Sequence, residues 1–169
     1  MTRRRLQAGL TSVEFAIIGT VLMMVVFGVI EMGRALFVAN TLTEATRRGA
    51  RMAAVCPVGD PKPASVAVFD SGSGSSAIVA GLTTANVQVQ YLDINGNPIA
   101  NPALPANSAL IRYVSVSIVG FTQTMLIPNL VATIPMNGFT TIIPRESLGV
   151  PPVGAEDTEG GALHRLATV

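Results

Sequence analysis

The most pronounced pattern in the chain is one long apolar run near its start. Residues 10–30, LTSVEFAIIGTVLMMVVFGVI, contain a single charged residue, Glu14. At about 1.5 Å per residue, a helix of this length spans roughly 31 Å, which is the thickness of the hydrocarbon core of a bilayer. A buried core helix is the alternative, but core helices rarely stay apolar on every face for about five turns. We therefore predict one transmembrane helix.

A pattern of helical period follows this run without a break. Residues 34–54 contain no proline, and small or apolar residues recur near one helix face: Leu36, Ala39, Leu42, Ala45, Thr46, Gly49 and Ala53. Glu44 precedes Arg47 and Arg48 by three and four residues, an order that favours ion pairs on a helix surface. We predict one continuous helix of about 45 residues, ended by the prolines that begin at Pro57.

Three residues of that face, Ala45, Gly49 and Ala53, form a series of small side chains four residues apart. Such a series lets another helix approach closely, which predicts a helix-packing site. It fits packing against the protein's own sheet equally well. The spacing alone leaves both alternatives open.

Beyond residue 57 the pattern changes to the alternation typical of β-strands. We predict strands over residues 86–92, 110–121 and 139–143, which together favour a small antiparallel sheet. Residues 77–82 favour a short helical turn, Asn95-Gly96 a turn, and the prolines at 128 and 135 an irregular stretch between them. From Ser147 onward the chain is rich in Pro, Gly and acidic residues, which predicts a disordered tail.

These patterns predict an α+β fold, in which a long N-terminal transmembrane and amphipathic helix packs against a small antiparallel β-sheet. The expected segments are a basic leader (1–9), a transmembrane helix (10–33), its extracytoplasmic continuation (34–56), a small β-rich extracytoplasmic domain (57–146) and the tail (147–169). The cluster Arg3–Arg5 precedes the apolar run. The positive-inside rule therefore predicts a cytoplasmic N-terminus and an extracytoplasmic domain.

Composition argues against several classes of function. Charged residues make up only 12% of the chain, about half of the roughly 25% typical of soluble proteins. A single cysteine, Cys56, and a single histidine, His164, exclude an intramolecular disulfide and a zinc site built from these residue types. Neither residue has the neighbours of a nucleophile motif, and no basic stripe alternates with aromatic residues. We expect no catalytic residue, metal, cofactor or nucleic-acid partner.

The junction between leader and apolar run carries the most specific motif. Arg3–Arg5 and then Gly9 come before the apolar residues, whereas in a secretory signal the apolar region precedes the cleavage site. Glycine at a cleavage site keeps the backbone unhindered and easily extended. Glu14 costs about 2.5 kcal/mol inside a bilayer, and somewhat less near the interface, so its carboxylate requires a partner. A Glu14 side chain that merely reaches the cytoplasmic interface is the alternative.

This motif resembles the class III signal of type IV pilins, which is cut after glycine and has glutamate as the fifth residue of the mature chain. Gly9, Leu10, Glu14 and Phe15 match it. The later run VIEMGRALFVANTLTEATRRGARMAA resembles more specifically the TadE-like pseudopilins of Flp/Tad pilus systems, which share a Glu-x-Gly-Arg step and a helix end rich in Ala, Arg and Gly. The resemblance covers residues 1–56.

The resemblance implies a minor pseudopilin of the bacterial inner membrane, cut between Gly9 and Leu10, that helps to initiate or cap assembly of a Flp/Tad pilus. It implies as partners a prepilin peptidase, other pilin and pseudopilin subunits, inner-membrane pilus assembly proteins and membrane lipid. The Glu14 carboxylate would then meet the free amino terminus of Leu10 in a neighbouring subunit. An unprocessed single-pass anchor with a protein-binding exterior domain, a type II secretion pseudopilin and a signal-anchored enzyme remain the alternatives.

Overall fold

The first and longest element is a single helix, α1, over Arg4–Val55. The computed structural model describes residues 4–70, 72–126 and 133–148, with side chains described from residue 11 onward. The predicted continuity of the helix is confirmed, and the helix also includes the described part of the leader. It ends two residues before Pro57, since proline has no backbone N–H to continue the helical hydrogen bonds.

The remaining elements are short helical turns and strands. In chain order they are α2 (Lys62–Ala67), a 3₁₀ turn (Thr84–Asn86), β1 (Val87–Leu92), α3 (Pro105–Ser108), β2 (Tyr113–Ile118), β3 (Thr122–Thr124), β4 (Thr133–Pro135) and β5 (Thr140–Pro144). Strands β1, β2 and β5 form one antiparallel sheet with β2 in the centre, and β3 and β4 form a separate two-stranded sheet. The predicted α+β class is confirmed.

The chain divides into two compact units. The first unit contains residues Met1–Asn40 and Thr122–Pro135, so its described part is the apolar portion of α1 together with the β3–β4 hairpin. The second contains Thr41–Phe121 and Met136–Val169, so its described part is the end of α1 with the three-stranded sheet. The helix α1 thus contributes to both units.

The strand predictions are confirmed for β1 and β5, whereas the predicted strand over residues 110–121 is interrupted. β2 ends at Ile118, and Gly120 adopts a positive φ of 65° that a β-strand cannot contain. The chain then enters β3, which pairs with β4 instead of β1. Residues 133–135, predicted to be irregular, are therefore a strand.

The short helical turn predicted over residues 77–82 is wrong. The hydroxyl oxygen of Ser76 accepts hydrogen bonds from the backbone N–H groups of Ile78 and Val79 (3.2 and 3.1 Å), and the chain bends there without forming a helix. Serine side chains that bond nearby backbone groups compete with helix formation in this way.

The core of the second unit lies between α1 and the central strand. Ala50 and Ala53 are buried in a cluster with residues of β1, β2 and the chain around them: Tyr91, Ile111, Val114, Val116 and Leu148. A Cβ atom placed on Gly49 would lie 2.9 Å from the Cβ of Ala67 and 3.2 Å from the Cγ1 of Val116. The helix therefore approaches the sheet and α2 as closely as a residue without a side chain allows.

This contact involves both kinds of partner that the small-residue series predicted, a helix and the protein's own sheet. Ala45 and Ala53 are completely buried, and Gly49 contacts the unit's own sheet and α2. The series thus packs inside the protein, against the short helix α2 as well as the sheet. Leu36, assigned to the same face, is instead 54% exposed.

The end of the described chain also contributes to this core. Leu148 is buried, and its backbone N–H donates a 3.1 Å hydrogen bond to the carbonyl oxygen of Ala54, near the end of α1. Ser147 and Leu148, predicted to belong to a disordered tail, therefore lie on the folded unit because the last carbonyls of a helix require donors. The rest of that predicted tail lies outside the described residues.

The close contact at Gly49 predicts a specific loss of stability. A Gly49→Val substitution should lower the free energy of unfolding by about 1–3 kcal/mol, because the new side chain would overpack against Ala67 and Val116. Gly28→Val is the matched control, since a Cβ at Gly28 would meet nothing within 4 Å. Tyr91 and Tyr113 lie in β1 and β2, so tyrosine fluorescence during denaturant unfolding in detergent reports on this unit. Equal midpoints for the two variants would contradict the packing described here.

Candidate functional site

The apolar portion of α1 is bare along its length. None of its most hydrophobic 18-residue stretch, with a mean hydropathy of 2.5, is buried within the described protein. Phe15 and Met24, for example, are 78% and 71% exposed. The alternative of a buried core helix is therefore wrong. The helix is long and apolar enough to cross a membrane, consistent with a single-pass anchor.

The predicted cleavage site lies inside this helix. The backbone is helical at both Gly9 and Leu10. A peptidase that cuts an extended backbone therefore requires the first turns of α1 to unwind. Glycine lowers the cost of that unwinding by about 1 kcal/mol relative to alanine, because it favours the helix least among residues other than proline.

Glu14 and Phe15 follow one turn after the predicted cleavage site, and both side chains are exposed. No ion pair joins Glu14 to another described residue. Its carboxylate is flanked in sequence by apolar residues, where an unpaired charge is costly in a membrane. The geometry thus leaves this carboxylate accessible to a group from outside the chain.

At the other end of the apolar run, Glu31 is the most buried charged residue among those described, with 5% of its surface exposed. The Nη1 atom of Arg34, one turn later, donates to both carboxylate oxygens at 2.9 and 3.0 Å. The backbone N–H of Leu126 donates to Oε2 at 3.2 Å. Three hydrogen bonds therefore satisfy this carboxylate, as a buried charge requires.

The same arginine also holds the strand that precedes Leu126. Nη2 of Arg34 donates to the carbonyl oxygen of Thr124, the last residue of β3, at 3.4 Å. Glu31 and Arg34 thus bind the end of β3 through one backbone acceptor and one backbone donor. We call this set of contacts among Glu31, Arg34, Thr124 and Leu126 the hairpin clamp.

A second buried polar group lies on β3. Gln123 is 4% exposed, and neither its Nε2 nor its Oε1 has a hydrogen-bond partner in the described part of the chain. A buried amide without partners costs about 1–3 kcal/mol per unsatisfied group. The strand is therefore held in place by the clamp and by its pairing with β4, despite an unfavourable contribution from Gln123.

The sequence identified Glu31-Met32-Gly33-Arg34 only as part of a family resemblance. Its i,i+3 spacing on a helix was the available signal for an ion pair. The partner backbone groups, at Thr124 and Leu126, lie 90 residues after Arg34 and 95 residues after Glu31. No local pattern connects these two segments, so the clamp could not be inferred without the tertiary structure.

The predicted ion pairs of Glu44 are not formed. The described residues contain a single ion pair, that of Arg34 with Glu31. Arg48 instead lies over the ring of Phe69, with 4.8 Å between its guanidinium carbon and the ring centroid. This cation–π contact offers an arginine an apolar surface as well as an attractive electrostatic interaction.

Two aspartates organise exposed loops of the second unit. Desolvation raises the pKa of Asp70, but hydrogen bonds from the backbone N–H groups of Gly72, Gly74 and Ser73 outweigh it and hold that pKa below its ordinary value. Hydrogen bonds from nearby groups hold the pKa of Asp93 below its ordinary value, and the backbone N–H of Asn97 makes the largest contribution. No group of three or more His, Cys, Asp or Glu residues that could hold a metal ion occurs among the described residues.

The hairpin clamp makes a testable prediction about local stability. Glu31→Ala removes the acceptor of Leu126 and leaves Arg34 without its carboxylate, a loss of about 1.5–3 kcal/mol for a charged hydrogen bond. Amide hydrogen exchange of residues 122–126 should therefore accelerate by about 10- to 100-fold. Glu44→Ala, which removes an exposed carboxylate from the same helix, should leave that exchange unchanged. The clamp is contradicted if the Glu31→Ala protein exchanges at the rate of the unaltered chain.

Comparison with known proteins finds one relationship. Residues 9–51, about a quarter of the chain, match the model of the family described as TadE-like protein. No curated protein and no solved structure matches the chain. The matched segment begins at the predicted cleavage site and contains Glu14, the apolar run, and both the Glu31 and Arg34 side chains of the clamp. Over residues 9–51 the chain is therefore similar to the TadE-like family, which the sequence of its long helix also resembles.

Proposed function

We propose that the protein is a minor pseudopilin that is cut by a prepilin peptidase and takes part in assembling a Flp/Tad-type pilus. The single observation that carries this proposal is the match to the TadE-like family from residue 9 onward. That match includes Gly9, Leu10, Glu14 and Phe15, the four residues of the pilin-like signal. The bare apolar portion of α1 supports the same proposal, because an assembling subunit must be held in a membrane before it meets its neighbours.

The proposed location is the bacterial inner membrane, with the N-terminus in the cytoplasm and the sheet-containing unit in the periplasm. Three arginines, Arg3–Arg5, precede the apolar run, and basic residues are retained on the cytoplasmic side. A leader on that side is accessible to a membrane peptidase that cuts at the cytoplasmic surface. The proposed partners are this peptidase, other pilin and pseudopilin subunits, and inner-membrane assembly proteins.

Contacts with other subunits would involve the apolar portion of α1. The face carrying Ala45, Gly49 and Ala53 is already covered by α2 and the sheet. The exposed portion from Val13 to Ile30 is covered by no described part of the chain. We therefore assign subunit association to the exposed portion, where the Glu14 carboxylate would pair with the amino group of Leu10 in a neighbour.

One observation favours a competing function. A helical backbone at Gly9 and Leu10 resists a peptidase. This observation suits an unprocessed single-pass anchor whose exterior unit binds another envelope protein. The two functions differ in whether the leader is removed.

Leader removal is the first test of the proposal. In cells that contain a prepilin peptidase, mass spectrometry should find a mature chain beginning at Leu10. Gly9→Val should block cleavage, since a β-branched side chain crowds and stiffens the site that must become extended. Gly19→Val, farther along the same exposed helix with open space around it, should leave cleavage intact. An N-terminus at Met1 or Thr2 in the presence of the peptidase would favour the unprocessed anchor.

The second test separates assembly from folding at Glu14. Glu14→Ala should leave cleavage and protein level unchanged, because removing a charge from a membrane helix relieves a cost. Crosslinking to other pilin subunits and the yield of pili should fall, since the partner of the neighbouring amino group is lost. Ser12→Ala provides a control substitution near the same end of the helix. Normal crosslinking in the Glu14→Ala protein would instead support a side chain that only reaches the membrane interface.

A further inference from the structure

The hairpin clamp places the end of β3 beside one ion pair on α1. Arg34 Nη2 donates to the carbonyl oxygen of Thr124, and Glu31 Oε2 accepts from the N–H of Leu126, two residues later. Because the Arg34 guanidinium reaches back to the Glu31 carboxylate at 2.9 Å, both contacts lie within one turn of the helix, directly after the apolar run. Both segments belong to the same compact unit. The end of β3 therefore lies beside the end of the apolar portion of the helix.

Leu126 consequently lies beside the last residues of that portion. Its partner Glu31 directly follows Ile30, the last residue of the apolar run, and helical rise separates neighbouring residues by only about 1.5 Å. Leu126 is 69% exposed, and the helix at the same level exposes Ile30 and Met32 at 55% and 60%. Exposed apolar side chains of this size are thus present on both the strand end and the helix.

The polar groups of the clamp bond to one another. The Glu31 carboxylate accepts from Arg34 and from the Leu126 N–H, and the Thr124 carbonyl accepts from Arg34. In a region poor in water, every backbone donor and acceptor needs a partner within the protein. The clamp supplies these partners at the strand end, which an ordinary exposed loop would leave to water. The sequence between β3 and β4, residues 125–132, also contains no charged residue.

We propose that Leu126 and the end of β3 are a second membrane contact, which rests on the lipid surface where the apolar helix leaves the bilayer. The partner is the interfacial region of the membrane. This region would bury the exposed Leu126 side chain next to Ile30 and Met32. Glu31 and Arg34 position this contact without entering it. The proposal depends on the membrane span of α1 but not on leader cleavage or pilus assembly.

The chain contains no tryptophan, so a single introduced tryptophan reports on one position. We would compare Leu126→Trp with Met24→Trp, which lies within the apolar run and is 71% exposed, and with Asn40→Trp, an exposed site on α1 about 15 Å beyond Ile30. Each variant of the full chain is placed in phospholipid nanodiscs, and quenching by nitroxide-labelled lipid is compared with quenching by acrylamide.

We expect lipid with the nitroxide near the headgroups to quench Leu126→Trp strongly, and acrylamide to quench it weakly. Met24→Trp should be quenched strongly by lipid that carries the nitroxide deeper in the bilayer, and weakly by acrylamide. Asn40→Trp should respond to acrylamide alone, which also controls for the preference of tryptophan for interfaces. Adding Glu31→Ala to Leu126→Trp should release the strand end and reduce lipid quenching, whereas adding Glu44→Ala should not.

Three results would overturn the inference. Leu126→Trp that responds like Asn40→Trp lies in water, although the span reported by Met24→Trp stands. Leu126→Trp that is protected from both quenchers is covered by protein instead of lipid. Met24→Trp that is quenched by acrylamide alone would show that α1 does not span the nanodisc, and the second membrane contact would fail with it. Unchanged protection of residues 122–124 against hydrogen exchange in Leu126→Trp confirms that β3 is intact in each comparison.

Discussion

The close approach of α1 to the sheet at Gly49 is the contact on which the second unit depends. Only a residue without a side chain fits there, because a Cβ atom would come within 2.9 Å of Ala67 and 3.2 Å of Val116. The alanines around it, such as Ala50 and Ala53, keep the helix close along the rest of this contact. Many short apolar contacts between backbone-near atoms then add to the burial of larger side chains such as Ile111 and Val114.

This packing also explains how one helix serves two different environments. After Thr41, the small residues on one face of α1 allow a sheet and a short helix to cover it, and the buried hydroxyl of Thr46 is satisfied by that of Thr141 at 2.9 Å. Before Glu31, large apolar residues such as Phe15 and Met24 remain exposed. A folded unit covers the first face by itself, whereas no described part of the chain covers the second.

Glu31 and Arg34 lie on α1 between its exposed apolar portion and the portion that the sheet covers. A carboxylate that is 5% exposed is tolerated because three hydrogen bonds, from Arg34 Nη1 and the backbone N–H of Leu126, compensate for its lost hydration. The same pair orders the end of β3, so the charge contributes to the position of a hairpin as well as to its own neutralisation. Charged residues directly after an apolar run can therefore be part of the folded structure. They need not simply mark the point where the chain enters solvent.

The sequence by itself determined the features that depend on neighbouring residues. The apolar run, the continuous helix up to Val55 and the strands around β1 and β5 follow from local periodicity and proline positions. The pilin-like signal with Gly9 and Glu14 comes from a resemblance that neighbouring residues carry. Helix and strand periods are properties of short segments, so a single chain is enough to reveal them.

Only the tertiary structure decided which segments meet. It placed the Ala45, Gly49 and Ala53 face against the protein's own sheet, directed Arg48 to Phe69 in place of Glu44, split the predicted strand at Gly120 and paired β3 with β4. It also joined Glu31 and Arg34 to the end of a strand 90 to 95 residues away. Each of these outcomes depends on shape and hydrogen-bond complementarity between distant parts of the chain. The period of a local sequence pattern contains no information about that complementarity.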